Sequence, residues 1–185
     1  MKKILCVALS LLLIFSLAAC GGEEKASTKT VDLEKYSKSD GIPECKYTLG
    51  TEVKTLKDEL SAYAESEEGS ESLYDEYEGE ETVCVTNGVY NFYYEKDNED
   101  AGVAYIASFD KAFGFEIGES ILTVKEALAN TKYTEEETND ENTFFMFAPI
   151  TGSVIKCEFE KNTIIFVFEN SELCATAIYR NDFFN

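Results

Sequence analysis

Two stretches of the chain place apolar residues with the spacing of an amphipathic helix. The first set is Val53, Leu56 and Leu60, and the second set lies 68 residues further along the chain. Spacings of three and four residues bring apolar side chains to one face of a helix. The pattern therefore predicts helices over residues 50–60 and 118–128.

Apolar and polar residues alternate after each of these helices, which indicates β-strands. The predicted strands cover residues 83–86, 89–95, 102–109, 143–148, 153–159, 163–169 and 173–180. The pairs Asn87-Gly88 and Asn170-Ser171 are typical of tight hairpin turns, so neighbouring strands should be antiparallel. Short helices followed by runs of antiparallel strands predict an α+β fold.

The two helical segments belong to a longer internal repeat. Residues 47–60 align with residues 115–128 at a constant shift of 68 residues, with Gly, Thr, Lys and Leu identical. This self-similarity predicts two tandem repeats, residues 41–112 and 113–185, each a short helix followed by an antiparallel β-sheet. Neither repeat is expected to bury its sheet alone, so the two should pack together.

The duplicated pattern resembles the tandem repeats of β-lactamase inhibitor protein (BLIP) and of Gram-positive lipoproteins that share its fold. The resemblance covers residues 45–182 and rests on Gly50, Gly118 and three strand segments. Those segments are Tyr90–Tyr94, Ala104–Phe109 and Ala177–Tyr179. The resemblance implies a BLIP-like fold. No inhibitory residue can be transferred, because the contact loops of the family do not match this sequence.

The N-terminus has the pattern of an export signal. Two lysines precede an apolar run over residues 4–17, which is shorter than the about 20 residues of a membrane-spanning helix. The run leads into Leu-Ala-Ala-Cys20-Gly, which resembles a lipobox. The resemblance implies that residues 1–19 are a signal peptide and that Cys20 receives a lipid anchor. The alternative is an ordinary secretory signal that is cleaved near Ala19.

Residues 20–40 are polar and show almost no apolar periodicity. A segment of this composition buries too little apolar surface to fold. We therefore interpret this stretch as lipidated Cys20 followed by a flexible tether, which would hold the domain at the extracytoplasmic face of the cell membrane.

The charge of the chain restricts its partners. Without residues 1–19 the chain has 14 basic and 36 acidic residues, a formal net charge of −22. This charge repels nucleic acid and favours a metal cation or a basic protein surface. The chain has no histidine, which excludes a Ser-His-Asp or Cys-His centre and imidazole metal ligands. We predict no enzyme activity, no cofactor and no metal site.

Four cysteines follow the tether: Cys45, Cys84, Cys157 and Cys174. They form no C-x-x-C pair, so the sequence predicts neither a zinc ribbon nor a thioredoxin-like motif. Outside the cell they allow three disulfide pairings, and the sequence does not choose among them. A buried free thiol is an equally good interpretation of Cys157, which alternates with apolar residues.

Tyrosines in two places are candidate binding residues. Tyr74 and Tyr77 lie within Glu65–Glu81, a stretch with nine acidic residues and no basic residue. This density of oxygen ligands would suit Ca²⁺, but the residue order of an EF-hand is missing and a solvated acidic loop is the simpler interpretation. Tyr93 and Phe92 should lie on opposite faces of one predicted strand, and the face of Phe92 should be core. An exposed aromatic platform at Tyr93 is one hypothesis. The alternatives are cross-strand aromatic pairs that stabilise the sheet without a partner and packing of Tyr93 in the core.

These observations predict a membrane-anchored lipoprotein with a non-catalytic binding module for a protein or another envelope component. Inhibition of an envelope or secreted enzyme is the most specific version of this hypothesis. A structural or assembly role in the cell envelope is the alternative and rests on fold analogy. A carboxylate-dependent hydrolase comes third, because nothing singles out two of the many acidic residues.

Overall fold

Eight strands form a single antiparallel sheet. The structure is a computed structural model that describes residues 29–66, 73–138 and 152–183. The strands are β1 Asp75–Glu78, β2 Thr82–Thr86, β3 Tyr90–Glu95, β4 Tyr105–Ser108, β5 Thr134–Thr138, β6 Gly152–Glu158, β7 Asn162–Glu169 and β8 Glu172–Arg180. Their order across the sheet is β1-β2-β3-β4-β8-β7-β6-β5. The predicted α+β class is confirmed by this sheet and a small number of helices.

Helices form at both of the places where the sequence predicts them. The described helices are α1 Leu33–Lys38, α2 Val53–Ala64 and α3 Ile121–Ala127, with a 3-10 turn at Glu99–Ala101. Gly50 and Gly118 precede α2 and α3 with φ of +81° and +91°, a backbone region that favours glycine. The Oγ of Ser120 accepts a hydrogen bond from the backbone N of Thr123 (3.2 Å), which caps the N-terminus of α3.

Six of the seven predicted strands are confirmed, with ends that differ by three residues or fewer. The seventh, residues 143–148, lies outside the described residues. The strand predicted at 102–109 begins later, at Tyr105, because the 3-10 turn and Gly102, with φ of +71°, precede it. Asn170 and Ser171 form the predicted two-residue turn and both have positive φ, +52° and +67°. β1 and β5 were not predicted.

The sheet has two apolar faces, each with its own cluster of buried residues. The first face packs against all three described helices, and its cluster includes Leu33, Leu56, Phe92, Phe113, Phe115, Val124, Phe166 and Ile178. The second face consists of Cys84, Tyr93, Ala104, Tyr105, Ala107, Val154, Ile165, Val167, Ala175, Ala177, Tyr179 and Phe183. Side chains along a strand point alternately to the two faces, so strands such as β7 contribute to both clusters.

The prediction that residues 20–40 form a flexible tether is wrong for α1. Leu33 is only 1% exposed, and the ring of Tyr36 lies 5.7 Å from the ring of Phe113. The Nδ2 of Asn162, on β7, donates to the backbone oxygen of Ser37 (2.9 Å). A buried leucine and these contacts stabilise a helix that is too short for its periodicity to be read from sequence.

None of the helices within the described ranges is long and apolar enough to cross a lipid bilayer. Cys20 and the apolar run before it lie outside those ranges, so the lipid anchor stays a prediction.

Candidate interaction surface

The edge strand β1 forms the most exposed part of the sheet. All four of its residues are exposed, and in the described part of the chain β1 pairs only with β2. Asp75, Glu76 and Glu78 give the strand three carboxylates, and Glu80 and Glu81 follow in the turn. Edge strands carry backbone groups that can pair with another chain, and charged side chains limit such pairing. The edge of β1 is therefore exposed, and most of its side chains are acidic.

Two tyrosines lie among these carboxylates. Tyr77 is 46% exposed, and its hydroxyl donates to Oδ2 of Asp75 (2.9 Å). Tyr74 is half-buried, and its hydroxyl donates to Oε1 of Glu76. Burial and the hydrogen bond to Glu76 raise the pKa of Tyr74 to about 12. The carboxylate of Asp75 likewise raises the pKa of Tyr77. Both phenols therefore stay neutral at physiological pH and orient the carboxylates beside them.

Two lysines neutralise part of the edge. The Nζ of Lys57, on α2, lies 2.7 Å from Oε2 of Glu76 and 5.4 Å from the ring centre of Tyr94. Burial opposes the charge of Lys57, yet its hydrogen bonds to Glu76 and Tyr94 raise its pKa. The Nζ of Lys96 lies 2.8 Å from Oε2 of Glu78. Both pairs lie on the first-face side of β1. Of the three carboxylates of β1, Asp75 is therefore the one on the side of Tyr77, and neither of these two lysines pairs with it.

The prediction that Tyr93 forms an exposed platform is wrong. Tyr93 is 1% exposed and belongs to the second-face cluster. Its ring lies 5.1 Å from that of Tyr105 in an edge-to-face arrangement, and Tyr105 stacks on Tyr179 at 5.5 Å. Phe92 and Tyr94 point to the first face, so β3 is apolar on both sides. An alternating strand has no exposed side when both faces of its sheet are buried.

The strand register connects the buried and exposed tyrosines. Tyr77 pairs with Cys84, Cys84 with Tyr93, and Tyr93 with Tyr105. These four residues form one row across the second face, and the exposed fraction rises from 0% at Tyr105 to 46% at Tyr77. Of the three tyrosines predicted as binding residues, the structure therefore leaves Tyr77 and Tyr74 at the surface. That they bind a partner stays a prediction.

The four described cysteines are free thiols. Cys84 and Cys174 belong to the second face, whereas Cys157 and Cys45 pack against the first-face cluster. Three strand spacings of about 4.8 Å separate β2 from β8, which is too far for a disulfide between Cys84 and Cys174. Burial raises the pKa of Cys84 to about 11 and that of Cys157 to about 12, so both resist oxidation.

Acidic side chains are numerous among the described residues but are dispersed over the surface. No three acidic or cysteine side chains come together there in a way that could hold a metal ion, although part of Glu65–Glu81 lies outside the described ranges. A cleft of about 370 Å³ lies beside α1. Two of its carboxylates are already engaged, Glu34 with Lys38 (2.6 Å) and Asp40 with Nδ2 of Asn162 (2.9 Å).

No protein-family model, curated protein or solved structure matches this chain. The resemblance to BLIP-like repeats therefore rests on the residues that carry it.

Proposed function

We propose that this chain is a lipoprotein anchored through Cys20, and that its domain is a non-catalytic module that binds a basic protein partner. The observation that supports the binding function is the edge formed by β1, where exposed carboxylates surround Tyr74 and Tyr77. Large aromatics supply much of the energy of protein interfaces, and a negative rim steers a positive partner. An enzyme of the cell envelope with a basic surface is one such partner.

We also infer that the domain consists of two tandem BLIP-like repeats. The strand order supports this, because β1 to β4 and β5 to β8 run from the two edges to a shared centre. The backbone N of Gly50 donates to the oxygen of Val103 (2.7 Å), and that of Gly118 donates to the oxygen of Leu173 (2.8 Å). In both halves, therefore, the glycine before the helix is hydrogen-bonded to the chain where the last strand of that half begins, which is β4 in the first half and β8 in the second.

Equivalent ion pairs join helix to edge strand in the two halves. Lys57 of α2 pairs with Glu76 of β1 at 2.7 Å, and Lys125 of α3 pairs with Glu135 of β5 at 2.7 Å. The two lysines lie 68 residues apart, which is the shift of the sequence repeat. An experimental structure in which residues 47–108 do not superpose on 115–180 would contradict the repeat.

The binding function can be tested by capture from an envelope extract with the immobilised full chain. The double variant Tyr74→Ala/Tyr77→Ala should lose the captured partner, since truncating one interface anchor commonly costs about 2 kcal/mol of binding, roughly thirtyfold in affinity. Tyr63→Ala is the matched control, because Tyr63 is also exposed (51%) but lies on α2. Raising the salt concentration should weaken capture by screening the carboxylates. Capture unaffected by the double variant would refute this edge as the binding surface.

The anchor is tested separately. Cys20→Ala should leave an uncleaved precursor or release the protein into the medium, because no thiol remains to receive the lipid. Unchanged membrane retention and an unchanged mobility on a gel would refute the anchor and leave the binding surface unaffected.

A further inference from the structure

Exposed apolar side chains are concentrated at one end of the sheet, which we call the apolar end. It is the end at which the β2–β3 and β7–β8 turns lie, since β4 ends at Ser108 beside Tyr90 and runs antiparallel to β8 toward the start of that strand. Seven large apolar side chains are exposed in the described ranges, and two of them, Tyr63 and Tyr77, lie on α2 and β1. The other five lie at the apolar end and are 38–67% exposed: Leu73, Val89, Phe109, Ile117 and Leu122.

Contacts in the first half of the chain bring three of these residues together. The backbone N of Phe109 donates to the oxygen of Val89 (3.0 Å), so the residue after β4 lies beside the β2–β3 turn. A Cβ added to Gly88 of the same turn would lie 3.3 Å from Cβ of Leu73. All three apolar side chains therefore belong to the surroundings of one turn.

The second half contributes the other two residues. Ser120 forms a β-bridge with Glu172, the first residue of β8, beside the β7–β8 turn. Ile117 lies three residues before Ser120, and Leu122 lies two residues after it and is 67% exposed. Four strand spacings, about 19 Å, separate β2 from β7. The apolar side chains are therefore spread along the end of the sheet and do not form a single groove.

The N-terminal part of the chain reaches the domain at the same end. The Nζ of Lys29, the first residue that the structure describes, lies 3.2 Å from Oε1 of Glu119 and 4.4 Å from the ring centre of Phe115. The backbone oxygen of Glu119 accepts a hydrogen bond from the N of Leu173 (2.8 Å), next to the start of β8. Lys29 follows Cys20 by nine residues, which can span at most about 32 Å. A lipid on Cys20 would therefore hold the apolar end close to the bilayer.

We propose that the apolar end faces the membrane and that its five apolar side chains contact the lipid surface. This inference rests on the lipid anchor of the proposed function. Separate apolar side chains along a rim suit a lipid surface, which adapts to each of them, whereas a protein partner needs a closely packed patch. The anchor supplies the affinity, and the apolar side chains set the orientation of the domain. β1 lies at a lateral edge of the sheet, so its carboxylates stay accessible beside the membrane.

The charge of the chain determines which lipids favour the contact. The formal net charge is −20, so anionic head groups repel the domain. At the apolar end, however, two carboxylates are neutralised by lysines: Glu119 pairs with Lys29 (3.2 Å) and Glu116 with Lys111 (3.5 Å). The contact should therefore be strongest on zwitterionic lipid and weaken as anionic lipid is added.

The test uses tryptophan as the probe, because the chain has none. Leu122→Trp and Phe109→Trp are made singly in the full chain, and Glu160→Trp is the matched control, since Glu160 is exposed in the β6–β7 turn at the opposite end. The proteins are reconstituted into phosphatidylcholine vesicles whose acyl chains carry bromine, which quenches tryptophan fluorescence at short range. Interfacial side chains lie about 5–10 Å deep in the head-group and acyl boundary, so positions 122 and 109 should be quenched about threefold more than position 160.

Flotation of the protein with the vesicles reports the anchor separately. Protein that floats but shows equal quenching at the three positions would overturn the apolar end as the membrane contact and leave the anchor intact. Protein that does not float would overturn both. Quenching that increases when phosphatidylglycerol is added would mean that lysines make the contact, and it would overturn the role of the apolar side chains. A change at position 122 that depends on protein concentration and not on lipid would assign the apolar end to a second copy of the chain instead.

Discussion

The two faces of the sheet are buried to the same extent, but the sequence pattern predicts the burial of the first face more clearly than that of the second. The first face packs against helices whose apolar residues recur at helical spacing, such as Val53, Leu56 and Leu60. The second face consists largely of a row of tyrosines and several alanines on the central strands, and no described helix packs on it. When the sequence predicts no amphipathic helix to pack on a sheet face, that face is easily interpreted as exposed. The apolar residues of the second face indicate instead that it is buried.

The largest expected effect tests whether the second face is a core. Tyr93→Ala should lower the free energy of unfolding by about 3–5 kcal/mol, as large-to-small changes in a core do. Phe92→Ala is the matched variant, since its ring is equally buried on the first face of the same strand. Urea unfolding of the two variants should give similar losses. A loss below about 0.5 kcal/mol for Tyr93→Ala alone would mean that the second face is open to solvent.

The burial of Tyr93 could be read from the sequence of the strands. β7 has the run Ile164-Ile165-Phe166-Val167-Phe168, and β4 has Tyr105-Ile106-Ala107. An uninterrupted apolar run indicates a strand with both faces buried, whereas a half-exposed strand alternates. β3 also has aromatic residues on both of its faces, which likewise indicates a strand buried on both sides. This pattern favours packing of Tyr93 in the core over an exposed platform.

Other features could not be predicted, for different physical reasons. Helices α2 and α3 have periodic faces and a glycine turn before them, so their positions were predicted correctly. α1 has only six residues, and its stability comes from contacts with β7 and Phe113, which are distant in sequence. β1 and β5 are acidic edge strands, and their composition resembles that of a loop.

The second expected effect concerns the cover of the first face. Leu33→Ala should lower the free energy of unfolding by about 3 kcal/mol, because α1 is part of the folded domain and Leu33 is 1% exposed. Leu122→Ala is the control, since Leu122 is 67% exposed on α3 and should lose no more than about 0.5 kcal/mol. Equal stability of both variants in thermal melts would mean that α1 belongs to the flexible tether and not to the folded domain.

A third effect compares the faces through their thiols at high pH. Burial raises the pKa of Cys84 on the second face to about 11 and that of Cys157 on the first face to about 12. A raised pKa means that the folded state holds the proton more tightly, so this stability is complete below pH 9 and is lost as pH rises. Each thiol should account for about 2 kcal/mol of the loss between pH 7 and pH ~10.5.

The measurement is the free energy of unfolding at the two pH values in the parent, Cys84→Ala and Cys157→Ala. Each variant should remove a similar part of the pH dependence. If only Cys157→Ala does so, water reaches the second face and the thiol of Cys84 titrates normally in the folded state.

The smallest expected effect separates the buried part of the second face from its exposed edge. Tyr77 and Tyr93 lie in one row, with Cys84 between them, yet Tyr77 is 46% exposed and Tyr93 only 1%. Tyr77→Ala should therefore cost no more than about 1 kcal/mol of folding free energy, compared with about 3–5 kcal/mol for Tyr93→Ala. A small loss leaves Tyr77 available as a binding residue whose truncation acts on affinity. A loss as large as that of Tyr93→Ala would extend the core to the edge strand, and β1 would then be a structural boundary of the sheet instead of a surface for a partner.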